Sequence, residues 1–131
     1  MNKTYKIFKS ALKRVDYQFE DDNSENEIAL NTKDKIGIKE INESSAVLSV
    51  ERKLIFEGLK NVYLDVAYDV SLSYAKAMDK KKFIADIKKG LPLLGEVYSE
   101  ISLIIAQITD KSPFGAIISP PMYDEKEIEI V

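Results

Sequence analysis

The 131-residue chain contains no cysteine, no histidine and no tryptophan. The missing cysteine excludes disulfides, thiolate nucleophiles and Cys-ligated zinc, and the missing histidine removes the commonest general base and metal ligand. The five glycines are scattered, so there is no glycine-rich phosphate loop, and no Gly-x-Ser-x-Gly elbow is present. An excess of one charge is missing too. Nineteen Lys and Arg stand against 22 Asp and Glu, and the basic residues form no stripe that could neutralise a phosphate backbone, so nucleic acid is not an expected partner. No apolar run approaches the roughly 18 to 20 residues that span a bilayer. The first residues, MNKTYKIFKSALKR, lack the apolar centre of a signal peptide. A cytoplasmic protein without direct membrane insertion is expected, and the Asn-x-Ser/Thr triplets at Asn2 and Asn42 are then chance matches.

What is present suits one soluble domain: 45% of the residues are hydrophobic and 31% charged, and the length supports one core. Residues 1–131 are read as a single domain. The stretch NVYLDVAYDVSLSYAK places Val62, Leu64, Val66, Tyr68, Val70, Leu72 and Tyr74 at every second position. That is a strand with one unbroken apolar side, which something must cover. Before it, AVLSVERKLIFEG alternates as well, with Leu48, Val50, Leu54 and Phe56 on one face and Arg52 interrupting them. The short connector GLKN predicts an antiparallel hairpin. Upstream, Val15, Tyr17 and Phe19 share a parity opposite to that of Phe8 and Leu12, which predicts a β-bulge near Lys13 or Arg14. EIALNT and KIGIKEI offer shorter strand candidates, broken around Lys33 to Lys35.

The period then changes. Phe83, Ile84 and Ile87 are helically spaced, with Asp79 as N-cap and Lys88, Lys89 and Gly90 suited to a C-terminus. A longer helix follows Pro92, carrying the stripe Leu94, Val97, Tyr98, Ile101, Ile104, Ile105 and Ile108, the natural cover for the sheet. On its other side Gly95, Ser99, Ser102 and Ala106 fall together, and Glu96 and Glu100 are the only charges between Leu93 and Thr109. Such a face either lies against a partner subunit, whose backbone small residues let approach, or is a solvent face rich in small side chains.

Catalytic chemistry finds little support. Asp65 and Asp69 lie four residues apart on a strand, about 13 Å at roughly 3.3 Å per residue, too far to share one metal or proton. DDNSENE superficially looks like a calcium loop, but counting from Asp22 its sixth position is Glu27 and its twelfth Lys33, so it reads as an acidic loop. No cofactor and no metal are expected, and the chain is not expected to be an enzyme.

Three stretches, in register, carry a family resemblance. DYQFE, Asp16 to Glu20, resembles the D-x-x-F-E ending the first strand of the SecB export chaperones; YLDV, Tyr63 to Val66, resembles their L-C-E-V; and SPFGAIISPPMYD, Ser112 to Asp124, is similar to the segment after their long helix. The resemblance implies an α+β fold, a four-stranded antiparallel sheet with one long and one short helix packed on one face. It further implies a homo-oligomer, dimer or tetramer, with protomers joined at edge strands and dimers meeting through the long helices. The implied activity is ATP-independent holding of non-native polypeptides in hydrophobic grooves. An alternative is a SecB-like adaptor dedicated to one partner, such as an antitoxin or a phage protein. By position the client groove would be lined by Ile28, Leu30, Ile118, Met122 and Tyr123. Acidic residues Asp16, Glu20 and Asp65 would face the translocation ATPase SecA. The family's Gly-Gly pair in the fourth strand is replaced by YDVSLSY, and its final helix by DEKEIEIV, which alternates like a strand or tail.

Overall fold

A computed structural model describes residues 5–19, 29–57, 62–76, 78–112 and 115–131. Four long strands come first: β1 (Tyr5–Gln18), β2 (Ala29–Ile41), β3 (Ser45–Glu57) and β4 (Tyr63–Tyr74). Two helices follow, α1 (Lys80–Lys89) and α2 (Leu94–Thr109), and then a two-residue strand, β5 (Glu129–Ile130). The sheet order is β1-β4-β3-β2-β5. The long strands pair antiparallel, while β5 adds in parallel to β2. The expected four-stranded antiparallel sheet is thus a mixed sheet of five strands. Its extra member comes from the alternating EIEIV terminus, which takes up the free hydrogen-bonding groups of an edge strand.

Alternation decides the layers. In β3 and β4 the even-numbered side chains from Ala46 to Phe56 and from Leu64 to Tyr74 are all buried, as is Val62 just before β4, and the helices cover that face. Leu94, Val97, Tyr98, Ile101 and Ile105 of α2 and Phe83 and Ile87 of α1 complete the core, with Ile104 and Ile108 packed at its margin. Each large apolar side chain buried there contributes roughly 1.5–3 kcal/mol relative to exposure, so sheet and helices form one cooperative unit. The Asp79 carboxylate accepts from the Lys82 amide at 2.7 Å and starts α1. Gly90, at φ +95°, ends it, a conformation without penalty only for a residue lacking Cβ.

The expected bulge lies in β1, where the register with β4 shifts between Leu12 and Arg14; a second shift lies between Ile7 and Lys9. The two shifts bring Tyr5, Ile7, Leu12, Val15 and Tyr17 alike opposite even-numbered residues of β4. β2, by contrast, is not broken at Lys33–Lys35. It runs unbroken because Asp34, on the helix side, faces Arg52 of β3 in the ladder. Asn42, in the turn between β2 and β3, accepts through Oδ1 from the amides of Ser44 and Ser45 at 2.9 and 2.8 Å.

Candidate functional site

The interruption of β3 at Arg52 and the charges in the middle of β2 turn out to be one feature. Arg52 is fully buried, and its guanidinium grips Asp34 with both prongs, Nε to Oδ1 at 2.7 Å and Nη2 to Oδ2 at 2.9 Å. Such a planar fork suits a bidentate carboxylate contact, which a lysine cannot make. Its remaining donors point along the C-terminal segment. Nη1 donates to Ser102 Oγ of α2 at 3.1 Å, to Ser119 Oγ at 3.2 Å and to the Pro120 carbonyl, and Nη2 reaches the Met122 carbonyl at 3.3 Å. Its carbon Cζ lies 4.9 Å from the centre of the Tyr98 ring, a cation–π arrangement.

The segment from Gly115 to Tyr123 therefore runs back along α2, held at both ends and in the middle. At its start the Ile117 amide donates to Thr109 Oγ1 at 2.8 Å. In the middle Ser102 Oγ donates to the Pro120 carbonyl at 2.9 Å. At its end the Tyr123 hydroxyl donates to the Ile87 carbonyl at 2.6 Å and accepts from the Leu91 amide at 2.8 Å, tying the segment to the bend between the helices. Burial, first, then the charge of Glu125 push the Tyr123 phenol up, against the hydrogen bond from Leu91. Between this segment and β2 lies a cavity of about 590 Å³, lined by Thr32, Lys33 and Asp34 on the sheet side and by residues from Pro120 to Glu129 on the other.

Of the groove residues expected from the resemblance, Met122 and Tyr123 line this cavity. Tyr123 is nonetheless only 4% exposed, so it fastens the segment instead of offering open surface. Leu30, at 40% exposure, and Ile118, at 83%, stand outside the cavity with their side chains in solvent. Ile28 lies outside the described residues, as does Glu20 of the acidic face.

The small-residue face of α2 has a neighbour within its own chain. A Cβ added at Gly95 would sit 3.6 Å from Met122 Sδ, and Ser102 bonds the Pro120 carbonyl. The close approach that small residues permit is thus made here by the C-terminal segment at Gly95 and Ser102. Ala106 is half-buried and Ser99 exposed, in line with the exposed Glu96, Glu100, Leu103 and Gln107.

On the outer sheet face Asp16 and Asp65 are register partners. They share a second cavity, about 390 Å³, with Lys53 and Tyr63. This face is laced with cross-strand ion pairs. Arg14 bridges Glu51 and Asp65, while Lys13 and Lys39 hold Asp69 at 3.4 and 3.3 Å. Burial, and next the charge of Glu51, push the Asp65 carboxyl up despite the pull of Arg14 and Lys53. For Asp69 burial acts in the same direction, but the hydrogen bonds and charges of Lys39 and Lys13 outweigh it and hold that carboxyl down. The acids expected to meet SecA are thus in part neutralised from within.

The Arg52 knot was not foreseen. Its signal was there: a cation on the apolar side of one strand and an anion in the middle of the next, at positions an antiparallel ladder brings opposite.

No family model matches the chain, and no curated protein matches it in sequence. Among solved structures, the fold is similar to that of the Rv1957 SecB-like chaperone of Mycobacterium tuberculosis, determined in complex with a ChAD peptide from the HigA1 antitoxin. The TM-score is 0.62 at 11% identity, over 92% of this chain and 88% of that one. A protein of unknown function from Streptococcus agalactiae superimposes with a TM-score of 0.44 at 4% identity, over 88% of this chain and 96% of that one. The likeness to the mycobacterial protein is one of fold: this chain has a SecB-like α+β fold, with a fifth strand on its sheet.

Proposed function

We propose that the protein is a SecB-like chaperone of the adaptor kind, binding an extended, non-native segment of one dedicated protein partner, such as an antitoxin, without ATP. The observation that carries this is the likeness in fold to a SecB-like chaperone bound to an antitoxin peptide. The chemistry of the surface agrees. Large apolar side chains stand in solvent on a rigid base, Ile118 and Leu30 on one side and Phe8, Leu12 and Val15 along edge strand β1, as a surface for extended chain requires. The acting form is a homo-oligomer in the cytoplasm, with a second copy covering β1, whose outer edge has no strand neighbour among the described residues. No enzymatic step is involved. SecA is not needed for such a role.

A general holdase is the second reading, favoured by the same exposed apolar side chains. Affinity capture from the native host separates the two, since an adaptor recovers one protein and a holdase many. Solution mass by light scattering is expected to give a dimer or tetramer. A monodisperse monomer that neither captures a partner nor slows aggregation of an unfolded protein would overturn both readings.

A further inference from the structure

The C-terminal strand is held lightly for a sheet member. β5 pairs with β2 at two positions, Lys35 with Glu129 and Ile36 with Ile130. Just beyond it the Val131 amide donates to the Ile36 carbonyl at 2.9 Å, and the Ile38 amide donates to the Val131 carbonyl at 2.9 Å. Between this bridge and the anchored Tyr123 the chain makes a turn closed on Asp124, whose carbonyl accepts from the Glu127 and Ile128 amides. Residues Asp124 to Glu127 are exposed, and Ile128 and Ile130 are only half-buried. Few buried contacts and exposed backbone bonds mark a unit that opens at low cost.

Beneath the turn the sheet edge has room. Thr32, Lys33 and Asp34 of β2 line the 590 Å³ cavity, facing Glu127, Ile128 and Glu129. Among the described residues no strand pairs with β2 on this side ahead of Lys35. The edge occupied by β5 therefore continues into open space. Its exposed lysines Lys33 and Lys35 complement the glutamates of the tail, Glu125, Glu127 and Glu129.

We propose that the β2 edge from Thr32 to Ile38 is a strand-docking site, and that β5 is its intramolecular occupant, displaced by an extended partner segment of alternating aliphatic and acidic residues. The tail's own EIEIV is the pattern of such a ligand: main-chain bonds give attachment, alternate aliphatic side chains enter the half-buried side, and carboxylates meet the lysines. Tethered beside its site, the tail acts at a millimolar effective concentration, which a short linker provides. It masks the edge until a better segment arrives. The inference rests on the adaptor reading and names the chemistry of the partner segment.

Two full-length variants and one labelled peptide test it. Because the chain has no cysteine, Lys35→Cys with Glu129→Cys, at register partners, can form a single intrachain disulfide that locks the tail. Ile130→Asp with Val131→Pro removes the apolar contact and the amide donor and releases it. The probe is the fluorescent peptide DEKEIEIV, followed by anisotropy. The released variant should bind it about tenfold more tightly than the unaltered chain, because intramolecular competition is removed. The oxidised locked protein should not bind it, and reduction of the same sample should restore binding, which separates locking from misfolding. A peptide with every Glu changed to Lys should bind more weakly. Equal binding to oxidised and reduced locked protein, or no gain on release, overturns the docking edge. The same proteins are then challenged with an unfolded client. Should the peptide behave as expected while no form holds a client or captures a partner, the docking edge stands and the chaperone reading falls. Should client holding persist with no response of the peptide to the lock, the reverse is true.

Discussion

Replacing Arg52 with methionine keeps most of the volume and removes every polar contact of the side chain. The Asp34 carboxylate, with only 11% of its side chain exposed, is then left without its bidentate partner, and breaking one side of a buried pair costs about 3–5 kcal/mol. Against a typical total of about 5–15 kcal/mol that is a large share. Arg52→Lys should incur most of the same loss, since one ammonium cannot serve two carboxylate oxygens and two carbonyls at once. The double variant Arg52→Met, Asp34→Leu separates the parts. It removes the stranded charge, so it should regain part of the stability, but the Met122 carbonyl still loses the Arg52 donor and the Pro120 carbonyl keeps only Ser102. Urea unfolding followed by circular dichroism measures the loss, and the Met122 methyl resonance reports whether the segment lifts from α2. A loss below about 1 kcal/mol for Arg52→Met would refute the structural role of the knot, a loss of that size counting as ordinary for any substitution. An unchanged Met122 signal in both variants would show that Arg52 serves Asp34 alone and not the segment.

Tyr123→Phe removes a buried hydroxyl that bonds Ile87 and Leu91, and should cost about 1–3 kcal/mol in the same urea assay, since the Leu91 amide loses its partner, while the Ile87 carbonyl keeps the Gly90 amide. Tyr98→Phe should go the other way or be neutral, because the Tyr98 hydroxyl is buried without a hydrogen-bond partner among the described residues; a clear destabilisation would reveal one. Side-chain carboxyl NMR should find Asp65 protonating before Asp69 as pH falls, following the raised and lowered values of these two groups. The signs on stability are opposite. Asp65 favours folding most below its unfolded-state value and loses that contribution as pH rises through its raised folded value, whereas Asp69 stabilises above its unfolded-state value and loses this as pH falls through its lowered one. The reverse order of titration would contradict the ion-pair arrangement of the outer face.

Much of the architecture was legible in residue order. Burying one side of a strand and one stripe of a helix leaves a written period, so the hairpin of β3 and β4, the Asp79 cap, the Gly90 stop and the apolar stripe of α2 could all be read, as could a bulge near Lys13 or Arg14. The candidate site was legible only in part. Met122 was expected in a client groove, and the structure places it in the wall of the cavity beside β2. Tyr123 was expected beside it as open lining and is instead an anchor, because its hydroxyl finds two backbone partners that no local pattern announces.

The sequence by itself determined which residues alternate, which recur with helical spacing, and what chemistry is excluded, since these follow from periodicity and composition within a short stretch of chain. Only the tertiary structure decided that Arg52 and Asp34 are one buried pair, that the small residues Gly95 and Ser102 receive the chain's own tail, and that EIEIV joins the far edge of the sheet. Each of these depends on the pairing of groups distant along the chain. A charge in an apolar row is a fault in the pattern until its counter-ion arrives from another strand.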